Sequence, residues 1–164
     1  MSVDERMVHD IVQQVMANMQ ITGSVSGMHG VFKDMNEAIN ASIEAQKKVC
    51  TMTLDQREQI ISLIRKKTHE NAEILANMGV NETGMGNVGD KILKHHLTAD
   101  KVPGTEDIST IAWSGDRGLT LVEMGPFGVI GAITPATNPS ETVICNCIGM
   151  LAGGNTVVFN PHPN

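Results

Sequence analysis

Two short apolar runs separated by a helix-length segment govern what this chain can fold into. Phe127 to Ile133 is almost wholly apolar and bounded by Pro126 and Pro135, and Thr156 to Phe159 has the same character. Such runs fit strands buried on both faces, as parallel strands are. Between them Ser140 to Ala152 is long enough for a helix, with Val143, Ile144, Cys147, Ile148 and Leu151 spaced to line one face. Strand, helix and strand within about thirty residues form a parallel βαβ unit. The sequence therefore predicts an α/β fold.

Charge narrows the reading. All 12 Lys and Arg lie at or before Arg117, and the 47 residues after it carry only Glu123 and Glu141. A stretch that poor in charge cannot furnish its own solvated surface, so the expectation is that protein outside this chain covers it. A net charge of −6 argues against nucleic acid as a partner. No apolar run reaches membrane length and no secretory signal is evident, so no membrane association is expected. Cys50, Cys145 and Cys147 suit neither a disulfide framework nor a metal site, which points to a reducing, cytoplasmic setting.

Taken in order, residues 1–20 read as an amphipathic helix. Ser2 and Glu5 form a capping box, and Val8, Ile11, Val12, Val15, Met16 and Met19 one apolar stripe. Residues 21–30, with Gly23, Gly27 and Gly30, read as a flexible linker, and 31–164 as the main domain. A helix so short is marginal alone. It is expected to dock, either on its own domain or, through residues 2–19, on a shell or assembly partner. Its polar face lacks the basic residues of a membrane-surface helix.

A second helix is expected over 31–50, started by Asp34 with Glu37 behind it and burying Val31, Met35, Ala38, Ile39, Ile43 and Val49. Thr53 with Gln56 opens a third that runs to His69, and Asn71 to Gly79 a fourth. Lys47, Lys48, Arg65, Lys66 and Lys67 read as solvated charges. Glu82 to Gly89 reads as a turn, since it lacks the Gly-Lys-Ser/Thr ending of a phosphate loop. Lys101 to Arg117 reads as connection, and Gly118 to Glu123 as a strand.

For chemistry, Cys145 and Cys147 do not share a helix face and sit among Ile, Val and Met, which reads as inert buried packing. His95 and His96 diverge on a helix and have no further ligand at metal spacing, so no metal site is expected. The turn Thr134 to Ser140 lies where open α/β sheets place ligands, at the carboxyl end of a strand. Its Thr134, Thr137, Asn138 and Ser140 stand near a helix N-terminus able to hold an anionic oxygen. The same turn reads equally as a rigid connection with Ser140 capping the helix.

Pro126-Phe-Gly-Val-Ile-Gly-Ala-Ile-Thr-Pro followed by Gly154-Asn-Thr-Val-Val-Phe resembles the aldehyde dehydrogenase superfamily. The form Thr134-Pro-Ala-Thr-Asn-Pro-Ser-Glu-Thr with Asn160-Pro-His-Pro looks like its CoA-acylating branch, especially the acetaldehyde and propionaldehyde dehydrogenases of bacterial microcompartments. The resemblance implies N-terminal helices followed by the first part of a Rossmann-like parallel sheet, incomplete here. It implies oxidation of a short-chain aldehyde to acyl-CoA with NAD as oxidant and coenzyme A as co-substrate, in a homo-oligomer, in the cytoplasm or a microcompartment lumen. Residues 1–20 are similar to the encapsulation peptides of such enzymes.

By position the resemblance implies cofactor contacts at Ile133, Thr134, Pro135, Ala136, Asn160 and His162. Asn160 stands where many relatives place a Lys. Asn138 is the implied oxyanion donor, although in an ungapped comparison the family's Asn falls on Thr137. The family's catalytic cysteine lies far downstream, and no cysteine here matches its motif. The chain alone is therefore expected to be inactive. The alternative from another class is a non-catalytic interaction module docking through its N-terminal helix.

Overall fold

A computed structural model describes residues 28–163. The helix and most of the linker expected over 1–30 lie outside the described residues, except for a single 3-10 turn at Met28–Gly30. The chain divides after Ala38, and the unit from Ile39 onward carries the sheet and the candidate site.

Helix α1, Met35–Val49, opens at Asp34, whose Oδ1 accepts the N–H groups of Asn36 at 2.9 Å and Glu37 at 3.1 Å. Its buried side is not the expected one. Val49 is buried as expected, but Val31, Met35, Ile39 and Ile43 are exposed and Ser42 is buried in their place. The physical reason is hydrogen bonding: Gln46 donates to Gly154 O at 2.8 Å and accepts Thr156 N–H at 2.7 Å, and Ser42 Oγ donates to Thr156 Oγ1 at 2.9 Å. A polar stripe thus docks on the backbone leading into the last strand.

Helix α2, Leu54–Thr83, merges the expected third and fourth helices. No Gly or Pro interrupts it near Glu70, so intrahelical bonding simply continues. Its start is the expected capping box: Gln56 N–H donates to Thr53 Oγ1 at 3.2 Å and Thr53 N–H to Gln56 Oε1 at 3.0 Å. It ends at Gly84, whose φ of 65° supplies a left-handed cap. The expected turn follows, and Asn87 caps α3, Val88–Lys101, by accepting Asp90 N–H at 2.9 Å.

Lys101 to Arg117 is more than connection. Val102 and Ile108 pack on the core, and β1, Ile111–Gly115, pairs antiparallel with β2, Gly118–Val122. The β2 strand is as expected, but its partner is this hairpin mate, and every residue of both strands is exposed.

The βαβ unit is present. Strand β3, Val129–Ile133, and β4, Thr156–Asn160, are parallel, with Val129 opposite Thr156 and Ile133 opposite Asn160. Between them lies α4, Pro139–Ala152, with proline in the first turn where its missing N–H costs nothing. Burial of β3 on both faces is not found. Ala132 is buried and Ile130 half-buried, whereas Val129, Gly131 and Ile133 on the other face are exposed. Among the described residues one covering layer is present and the second is not.

The core joins Ile148 and Ala152 of α4 to Ile61 of α2, with Ile64, Ile144 and Leu151 packed around them. Two arginines of α2 lock the neighbouring helix ends. Arg57 Nη1 donates to Ala152 O at 2.6 Å, and Arg65 donates to Ala99 O and, at 2.9 Å, to Val102 O. These satisfy carbonyls that helix C-termini leave open. Arg65 is therefore structural rather than solvated, unlike the exposed Lys47, Lys48, Lys66 and Lys67. The charge-poor end of the chain does show apolar surface, as expected: Met124 is 75% and Phe127 96% exposed.

Candidate functional site

The turn from Thr134 to Asn138 leaves the carboxyl end of β3 and enters α4. Its first residue is fixed to the neighbouring strand, because Thr134 N–H donates to Asn160 O at 3.2 Å. The parallel register therefore brings Ile133 and Thr134 beside Asn160, two halves of the expected cofactor contact. Thr134 is buried, Ala136 half-buried, and Ile133, Pro135, Asn160 and His162 exposed. Exposed residues at two adjacent strand ends are the geometry that parallel sheets use to receive a ligand.

Asn138 occupies the N-cap position of α4, but its side chain makes no capping bond. Its Oδ1 accepts from Lys94 Nζ at 3.3 Å, which leaves the carboxamide N–H donors unspent among the described residues. The expected Ser140 cap is not formed either. Ser140 Oγ faces His95 Nε2 at 2.9 Å and Glu141 Oε2 at 3.2 Å, so the hydroxyl is turned inward.

Beneath the turn lies a group the sequence pattern did not connect. Lys91 and His95, one helical turn apart on α3, are 3% and 0% exposed, and Glu141 on α4 is 6% exposed. Lys91 Nζ donates to Thr137 O at 2.8 Å and stands 3.7 Å from Glu141 Oε1. Its stem runs past two glycines: a Cβ on Gly79 would stand 3.8 Å from Lys91 Cδ and one on Gly86 3.7 Å from Cε, ordinary contact distances. His95 Nδ1 faces Lys91 O at 2.7 Å. A carbonyl only accepts, so Nδ1 carries a proton, and Nε2 faces the Ser140 hydroxyl. The available signal was Glu141 itself, a lone charge on an apolar helix.

An open pocket of about 400 Å³ adjoins this turn, lined by residues from the Gly86 turn, α3 and the Thr137–Asn138 segment, with Lys94 at its wall. The adjacent histidines diverge as expected. His95 turns inward, while His96 Nδ1 meets His69 Nδ1 at 2.6 Å and His69 Nε2 meets Asp100 Oδ1 at 2.7 Å. Among the described residues no group of three or more His, Cys, Asp or Glu is arranged to hold a metal ion, and no helix is long and apolar enough to cross a membrane.

The cysteines divide. Cys147 is partly buried and burial pushes its thiol upward in pKa, as the inert reading expects. Cys145, expected to be buried beside it, is exposed on the other side of the helix, as is Cys50 at the end of α1.

Residues 13–164 match the family model described as "Aldehyde dehydrogenase family". An acetaldehyde dehydrogenase (acetylating) of Bilophila wadsworthia is 45% identical over 98% of this chain, which spans 34% of that protein. Among solved structures, a propionaldehyde dehydrogenase from the fucose utilisation bacterial microcompartment of Clostridium phytofermentans is 78% identical, with a TM-score of 0.80 over 82% of this chain and 31% of its own. A Rhodopseudomonas palustris propionaldehyde dehydrogenase with bound propionyl-CoA is 51% identical, with a TM-score of 0.79 over 82% of this chain and 30% of its own. The chain thus spans about one third of the length of the relatives it matches.

Proposed function

Because this chain belongs to the aldehyde dehydrogenase family, we propose that it forms the first third of a CoA-acylating enzyme that oxidises a short-chain aldehyde to acyl-CoA. NAD, when bound, supplies the hydride acceptor, and coenzyme A receives the acyl group. The single observation that carries this reading is the pairing of Ile133 with Asn160, which sets the two strand ends and their following loops side by side.

On this reading Ile133, Thr134, Pro135 and Ala136 contact the cofactor from one loop, and Asn160 and His162 from the other. The exposed faces of Ile133 and Asn160 support it, as does the partial positive charge of the α4 N-terminus for an anionic oxygen. Asn138 donates its unspent carboxamide N–H to the oxygen that gains charge when a nucleophile adds to the aldehyde carbon. A donor placed so contributes a factor of about 10² to 10³ in kcat.

The nucleophile is not among Cys50, Cys145 and Cys147, so the chain by itself is inactive. Residues 2–19 direct the enzyme to a shell or assembly partner, which places it in a microcompartment lumen, and the complete enzyme is a homo-oligomer. The microcompartment source of one relative and the amphipathic pattern of that segment support the first two of these readings.

The test is a chimaera in which this chain replaces the matching third of the Clostridium phytofermentans propionaldehyde dehydrogenase. The chimaera is expected to form NADH only with aldehyde and CoA together, and the 164-residue chain alone to form none. A folded chimaera without activity overturns the reading, and so does NADH formation by the chain alone. Within the chimaera, Asn138→Ala is expected to lower kcat by about 10² or more with KM for NAD unchanged.

A further inference from the structure

Lys91, His95 and Glu141 bury three titratable side chains in a unit with few buried residues of any kind. Burying charge is costly, and apolar replacement of a buried ion pair is often neutral or stabilising. Stability is therefore a weak reason for this arrangement. Glu141 Oε1 has no hydrogen-bond partner and only the Lys91 ammonium, 3.7 Å away, for company.

What the contacts share is direction. Each runs from α3 to the segment 137–141. Lys91 holds Thr137 O at 2.8 Å and thereby the plane of the peptide that Thr137 shares with Asn138. His95 holds Ser140 at 2.9 Å, just past Pro139. Asn138 stands between these two anchors, and Lys94 steadies its Oδ1 at 3.3 Å. An N-cap residue spared from capping and braced on both sides is held for another use.

We propose that Lys91 and His95, acting with Ser140 and Glu141, form a buried clamp that aims the Asn138 carboxamide. This rests on the reading of Asn138 as oxyanion donor, and it makes the four of them positioning residues. Lys91 carries most of the effect, since of these four side chains it is the one that bonds the backbone of the turn. The Ser140 hydroxyl donates to Glu141 Oε2 within α4 and stands 2.9 Å from His95 Nε2 of α3, and it is this second contact that ties the two helices together.

The discriminating variant is the double replacement Lys91→Met with Glu141→Leu, which removes both buried charges together and frees the carbonyl of Thr137, an exposed residue, from its lysine donor. In the chimaera it is expected to melt near the parent temperature while kcat falls about 10-fold to 100-fold, the cost of a misplaced group, and KM for NAD stays within about twofold. Recovery of kcat along with melting temperature would mean the pair only fills space, and would overturn the proposal. A second readout needs no dehydrogenase activity. Amide hydrogen exchange in the 164-residue chain is expected to quicken at least tenfold in the peptide spanning 136–141, with α2 unchanged. Unchanged exchange there, or uniform acceleration across the helices, overturns the clamp. An inactive parent chimaera with the local exchange change intact sinks the reading of Asn138 instead.

Discussion

Ile148→Ala is expected to remove a large part of the stability of this chain. Ile148 is completely buried and makes the joint between α4 and Ile61 of α2. The substitution deletes three carbons, about 2.4 kcal/mol at roughly 0.8 per methylene. If the neighbours do not close the gap, a void of roughly 80 Å³ adds up to about 2 kcal/mol more. The expected loss is then about 2.4 to 4.4 kcal/mol, against the roughly 5 to 15 that a domain commands. Ala152, beside it in the core, is too small to move into the gap, which argues for the upper part of that range. Urea unfolding of the 164-residue chain, followed by helical circular dichroism, measures the change as a lower midpoint at constant slope. Ile133→Ala is the control: that side chain is 83% exposed, and a surface change of this kind is expected to cost less than about 0.5 kcal/mol. Equal losses from the two, or less than about 1 kcal/mol from Ile148→Ala, would refute the placement of the core at the α2–α4 joint.

Two further outcomes follow from the site chemistry. Iodoacetamide is expected to alkylate Cys50 and Cys145 well before Cys147, whose partial burial hides the sulfur and disfavours the thiolate, with the lag vanishing in urea; equal rates in the folded chain would contradict this. Backbone N–H groups of Gly104 and of Glu106 itself, and then the Arg65 guanidinium, hold the Glu106 carboxyl below its usual range. A depressed folded pKa means the stabilisation is complete above the ordinary carboxylate value, about 4.3, and is lost as pH falls through the folded one. Glu106→Gln should therefore be slightly less stable than the parent near neutrality, with the gap closing below about pH 4 in thermal melts. The gap is small because the side chain is 60% exposed. A gap that widens toward acid would show the sign to be wrong.

The parts of this fold that were legible in the sequence are those set by local rules. The Thr53–Gln56 box and the Gly84 turn depend on neighbours a few residues away, the βαβ unit on one short stretch of chain, and all three appear where the pattern puts them. The membership of the family was legible too, from the residues around the two strand ends. What failed depended on distant partners. The apolar side of α1 was expected to be inside because Ile39 and Ile43 are apolar, yet Ser42 and Gln46 face inward because Gly154 and Thr156 offer them hydrogen bonds. Both faces of β3 were expected to be covered, and only one has a layer against it. The Lys91–Glu141 pair spans two helices, and no periodicity within either announces a partner on the other.

The link between α1 and β4 also sets a timetable. Ser42 and Thr156 are 114 positions apart, and Gln46 and Thr156 110. At a synthesis rate of about 5 to 20 residues per second, α1 waits roughly 6 to 20 seconds for the backbone it grips. The α2–α3 pair, whose partners are far closer in sequence, can close well before that. Helix α1, the first α-helix among the described residues, is therefore among the last to be secured, and during that interval the polar stripe of Ser42 and Gln46 keeps it compatible with water.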